Sequence, residues 1–131
     1  MIKLSKIIKE IQDEVKFIMP NAEYEWEEAE RYPNIFPDKK SWLDAFKMGK
    51  IESIDCSMNL TNTDMCDGDL DDLEPEKVQR AMQSLRKGVV ELPIFLKNRD
   101  KYELVGGNTR LTALATHGIP AKAWVIDLDK L

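Results

Sequence analysis

The chain has no long apolar run. Its uncharged stretches fall far short of the ~20 apolar residues that a helical membrane span requires, so a transmembrane helix is excluded. The first residues, Met1-Ile2-Lys3-Leu4-Ser5-Lys6, carry lysines where a secretory leader has an apolar segment, and a cytoplasmic protein is expected. Histidine is nearly absent, with His117 alone, and the two cysteines are ten residues apart. A zinc site of the usual Cys/His spacing is therefore excluded. Cys56 and Cys66 are expected to be reduced thiols. The acidic run from Asp64 to Asp72 lacks the spacing of a calcium loop. With Gly68 in the sixth position, Thr63 and Met65 fall where the first and third ligands belong. No metal site is expected.

What the chain does have is the size and balance of one domain: 131 residues, 43% hydrophobic and 33% charged. Its net charge of −5 is unevenly spread. Residues 1–76 hold 19 acids and 9 bases, and residues 77–131 hold 10 bases and 5 acids. A generally acidic protein does not wrap nucleic acid over its whole surface. A basic C-terminal half is compatible with a local anion site, but segregated charge is more often an ordinary solvated face.

Leu4, Ile7, Ile8, Ile11, Val15 and Ile18 recur at helical spacing and predict an amphipathic helix over 2–18, ended by Pro20 and Asn21. Residues 22–37 mix five glutamates with Tyr24, Trp26, Tyr32 and Phe36 and read as a loop or short turn. Trp26, Tyr32 and Trp42 suit either a core or a partner surface. Asp38 can cap a helix over 39–48 with Trp42, Leu43 and Phe46 inward. Ile51 and Ile54 suggest a strand, and residues 55–74 read as a long polar loop. Pro75 opens a helix over 75–86 that Gly88 closes. One strand is expected in Val89–Leu96, beginning at Pro93. A turn at 98–101, a returning strand at 102–105 and a last strand at 121–126 complete the elements.

The informative segment is Val105-Gly106-Gly107-Asn108-Thr109-Arg110-Leu111, where a strand runs through two glycines into a helix that Asn108 can cap. Such a junction exposes unpaired N–H groups at the positive end of the helix dipole, and glycine lets an anion approach the backbone. Arg110 can add a charged contact and Thr109 a hydroxyl. A tight strand–helix turn with Arg110 paired to an acid explains the same residues. The segment has neither the Gly-Lys of a Walker A loop nor the third glycine of a dinucleotide fold.

The order helix 75–86, Gly88, Pro93-Ile94, hairpin, then Tyr102-x-Leu-Val-x-Gly-Asn-Thr-Arg-x-x-Ala-Leu and a closing strand resembles the ParB/sulfiredoxin superfamily over residues 51–131. That superfamily includes ParB nucleotide-dependent clamps, ATP-using sulfiredoxins and a free-serine kinase. The resemblance implies an α/β fold, a small mixed sheet with flanking helices. Residues 51–131 would form the domain, with 1–50 as a helical extension packed on it. It also implies that Gly106, Gly107, Asn108, Thr109 and Arg110 hold a phosphate or nucleotide, with ATP or another NTP and Mg2+ as the expected cofactor. Sulfiredoxins place a reactive cysteine where this chain has Asn108, and ParB proteins usually a glutamate. The chain is too short for ParB's DNA-binding and dimerisation regions, which makes it more like the compact stand-alone members of phages and mobile elements.

Two functional classes stay open. One is a nucleotide- or phosphate-binding domain without turnover, with a nucleic acid or a partner protein as a further ligand. The other is a phosphotransferase or NTPase, for which Glu91 and the Glu27, Glu28 and Glu30 group are the candidate carboxylates.

Overall fold

A computed structural model describes residues 15–131. The sheet that organises them has five strands in the order β2-β7-β5-β6-β3, with β2 at Lys50–Ile54, β3 at Asn59–Thr61, β5 at Ile94–Asn98, β6 at Lys101–Gly106 and β7 at Ala121–Asp127. β2 and β7 are antiparallel, as are β5 and β6. β5 runs parallel to β7, and β3 runs parallel to β6. The protein is thus mixed α/β, as the sequence predicts. The hairpin falls at the predicted turn, where Arg99 takes a positive φ of 60°.

Both faces of this sheet are buried, and strand alternation divides the core in two. Phe95, Leu104 and Val125 face a cluster built with Ala81 and Leu85 of helix α3 (Pro75–Lys87) and with Leu111, Ala113 and Leu114 of helix α4 (Asn108–Thr116). Ile94, Leu96, Val105 and Ile126 face the opposite way, onto Ala29 of helix α1 (Trp26–Ala29), Phe36, and Trp42 and Ala45 of helix α2 (Lys39–Phe46). The second layer is held by edge-on ring contacts, Phe36 to Trp42 at 5.1 Å and Trp42 to Phe46 at 5.7 Å. Trp42 is fully buried and donates its indole N–H to Ala22 O at 2.7 Å. Trp42 is core, and Trp26 and Tyr32 pack on that layer while staying partly exposed. The sheet offers a whole apolar face, and burying large rings there outweighs exposing them.

Local signals account for the helix ends. Asp38 accepts from Ser41 N at 2.7 Å, and Ser41 Oγ accepts in return from Asp38 N, a reciprocal capping box. Pro75 occupies the first position of α3, Arg86 and Lys87 lie in its last turn where cations suit the dipole, and Gly88 closes it.

Three expectations fail here. Residues 16–18 are not helical. They form β1 (Lys16–Ile18), which pairs in parallel with β4 (Val89–Glu91) as a separate two-stranded sheet. Val15 and Phe17 pack on the core, and Lys16, Phe17 and Ile18 alternate outward, inward, outward. That period of two fits a strand, and the helical count concealed it by including Ile18. The remainder of the predicted helix, 2–14, lies outside the described residues. The strand expected to begin at Pro93 is present as β5, but a separate strand, β4, precedes it where none was expected. The chain leaves β4 at Leu92-Pro93 and enters β5, because Pro93 has no N–H to carry a ladder onward.

The third failure is at the cysteines. Cys56 and Cys66 form a disulfide, with Cα atoms 5.8 Å apart. The loop that carries them is not free. β3 and the contacts around it fold residues 55–66 back against β6, which brings the two thiols together.

Candidate anion site at the glycine turn

The turn is built where β6 ends. Gly106 is its last residue, and Gly107, at φ +99° and ψ 22°, precedes the first residue of α4. A side chain at Gly107 would be strained by that φ, and its Cβ would lie 2.9 Å from Pro93 Cα. The second glycine is therefore required by the backbone and by close packing on the strand switch at Pro93. Gly107, not Asn108, is the cap residue, and it offers no side-chain acceptor to the helix. Asn108 is the first helical residue, which corrects its expected capping role. Leu111 N donates to Gly107 O at 2.9 Å, so hydrogen bonding within the helix begins there. Among the described residues, the N–H groups of Asn108, Thr109 and Arg110 have no acceptor. They are the orphan donors of a nine-residue helix.

Asn108 turns its amide the other way. Its Oδ1 accepts from Thr63 Oγ1 at 3.0 Å and Asp64 N at 2.9 Å, and its Nδ2 donates to Asp64 Oδ2 at 2.8 Å. The amide oxygen is thus filled by the disulfide-closed loop, and one of the two amide hydrogens is used there as well. Its main-chain carbonyl accepts from the buried hydroxyl of Thr112 at 2.8 Å. Thr109 is partly exposed, and among the described residues its hydroxyl makes no hydrogen bond.

Arg110 folds back over the turn. Its Nε donates to Glu91 O at 2.9 Å and its Nη2 to Leu92 O at 3.1 Å, both at the switch from β4 to β5. The same Nη2 lies 3.6 Å from Glu25 Oε1. A Cβ at Gly106 would come within 2.6 Å of the other Glu25 oxygen, so the first glycine makes room for a carboxylate.

Glu25 is the residue that sequence reasoning missed. Asn21 accepts through Oδ1 from Glu23 N and Tyr24 N, and Glu25 N donates to Asn21 O at 3.0 Å, which fixes the approach to α1. Glu25 is 5% exposed. Burial raises its carboxyl above the ordinary range, Arg110 opposes that shift, and Glu91 and Glu28 add to it. A signal was available: residues 25, 29, 32 and 36 share a 3–4 spacing, and the other three positions are Ala29, Tyr32 and Phe36. A carboxylate in phase with an apolar stripe is the one that goes inward. Of the acids singled out from sequence, Glu28 and Glu91 border Glu25, Glu28 also pairing with Arg31 at 3.1 Å, whereas Glu27 and Glu30 are exposed. Among the described residues no three His, Cys, Asp or Glu side chains converge on a metal-sized site.

The Glu25 shift sets a pH dependence. Its folded-state pKa lies above its ordinary value of 4.5, so the folded state binds this proton more tightly than the unfolded chain does. Stability should therefore fall as pH rises from about 4.5 through the raised value, and Glu25→Gln should flatten that part of the curve. Urea unfolding of both proteins across the range checks this; parallel curves would place Glu25 in solvent.

No family model, curated protein or solved structure matches the chain. No helix among the described residues is long and apolar enough to cross a membrane.

Proposed function

We propose that the chain is a phosphate- or nucleotide-binding domain of the ParB/sulfiredoxin-like kind, of the compact phage type, and that it binds at residues 106–110. The observation that carries this reading is the set of three unpaired N–H donors of Asn108, Thr109 and Arg110 behind a glycine cap. Such donors, with the helix dipole, suit phosphate oxygens. Glu28, Glu91 and Asp64 surround the turn with negative charge, which favours a phosphate that arrives with its own cation, as Mg-ATP does. Binding without turnover follows from Asn108, whose amide cannot exchange protons near neutral pH and is already bonded to Thr63 and Asp64. A phosphotransferase is the second reading. It is favoured by Glu25, a buried carboxyl held above its ordinary pKa beside Gly106, which is the setting of a general base.

Calorimetry with ATP, inorganic phosphate and adenosine, each with and without magnesium, tests the proposal. The two phosphate-bearing ligands should bind, more weakly as salt rises, and adenosine should not. Phosphate release from ATP should match a no-protein control. Adenosine binding as well as ATP would defeat the phosphate reading. Robust hydrolysis abolished by Glu25→Gln would establish the phosphotransferase instead.

A further inference from the structure

The loop between Cys56 and Cys66 reaches the rest of the protein through a small set of polar contacts. Thr61 Oγ1 donates to Tyr102 O at 3.3 Å, and Asn62 Nδ2 donates to Leu104 O at 2.8 Å and to Tyr32 Oη at 3.3 Å. Thr63 and Asp64 then grip Asn108. The strand inside it, β3, is three residues long and forms the edge of the sheet. Its apolar anchors, Met58, Leu60 and Met65, are only partly buried. Asn62 holds a left-handed φ of 62°, a conformation that costs a non-glycine residue energy. A short edge strand with polar contacts and one strained residue is the low-stability end of a fold. The bond between Cys56 and Cys66 closes this loop at its base, and both cysteines are exposed, open to attack by a thiolate.

We infer that the Cys56–Cys66 disulfide is a redox clasp: a dithiol reductant opens it and releases residues 57–65 from β6 and from Asn108 at the glycine turn. In the reaction, one thiolate of the reductant attacks a cysteine sulfur, and the S–S bond breaks to give a mixed disulfide and one free cysteine thiolate. The second thiol of the reductant then displaces the other cysteine. The protein gains two electrons and two protons as two thiols, and the reductant becomes a cyclic disulfide. Closing a loop of this length removes chain entropy that reduction restores, so the loop pays for its order through weak contacts alone once the bond is open. Opening exposes the edge of β6 and frees the Asn108 amide. The clasp does not depend on what the turn binds.

Hydrogen exchange of the whole protein, with and without dithiothreitol, tests the inference, with a thiol titration confirming the redox state. Reduction should speed exchange at Leu60–Asp64 by at least about tenfold, leave Ile94–Leu96 and Val125–Ile126 protected, and reverse on reoxidation. Thermal unfolding should shift down by roughly 10 °C. The Cys56→Ser/Cys66→Ser protein should exchange like the reduced one under both conditions. Unchanged exchange at 60–64 after confirmed reduction would overturn the clasp. So would loss of protection throughout the sheet, since the bond would then staple the entire fold, and so would two free thiols in protein prepared without reductant.

Discussion

Arg110→Ala should destabilise the fold by roughly 2–4 kcal/mol, an effect of structure before any effect on a ligand. The guanidinium supplies donors to Glu91 O and Leu92 O, at the point where the chain crosses from one sheet to the other. It also faces the buried Glu25 carboxylate. Removing it leaves two carbonyls short of a donor and a carboxylate without a countercharge. The loss stays below the full range for a broken buried pair, because the two groups are 3.6 Å apart and the arginine side chain is 22% exposed. A double variant, Glu25→Gln/Arg110→Ala, should recover part of the loss, since an amide needs no countercharge. Urea unfolding of the four proteins in the cycle measures this. A loss below about 0.5 kcal/mol would mean that the guanidinium is free to serve a ligand, as the sequence expectation had it.

Trp42→Ala should cost about 3–5 kcal/mol, the range for deleting a fully buried large aromatic. The ring stands between Phe36 and Phe46, and Phe46 in turn contacts Trp124 of β7 at 5.6 Å, so the cavity would open in the middle of the layer. The indole also donates to Ala22 O, three residues before Glu25, and its loss should loosen the approach to the buried carboxylate. Trp42→Phe should cost less, because a ring remains and one hydrogen bond is lost. Chemical denaturation measures both variants. Equal effects from the two would assign the loss to the hydrogen bond and not to the cavity.

What could be read from the residues alone divides along physical lines. Helix ends were readable where a side chain or proline acts locally: Asp38 with Ser41, Pro75, Gly88. The hairpin and the glycine turn were readable because they need particular residues at particular positions. β1 was not, because three residues carry little period and their partner, β4, lies some seventy positions away. The disulfide depends on how the 55–66 loop folds against β6, which no local pattern encodes. The junction's residues were identifiable, but their roles were not. Arg110 meets Glu25, Glu91 and Leu92 only in the folded chain, and Asn108 meets Asp64 only once the loop has closed.

The central claim is that residues 106–110 receive a phosphate. The most direct test is an amide chemical-shift titration of the oxidised protein with Mg-ATP. The account predicts that the largest saturable shifts fall on the N–H groups of Asn108, Thr109 and Arg110, with Gly106 and Gly107 moving alongside. Shifts concentrated elsewhere, for instance on the shallow depression lined by Ser57, Lys97, Arg99 and Tyr102, with the glycine turn unchanged, would contradict it.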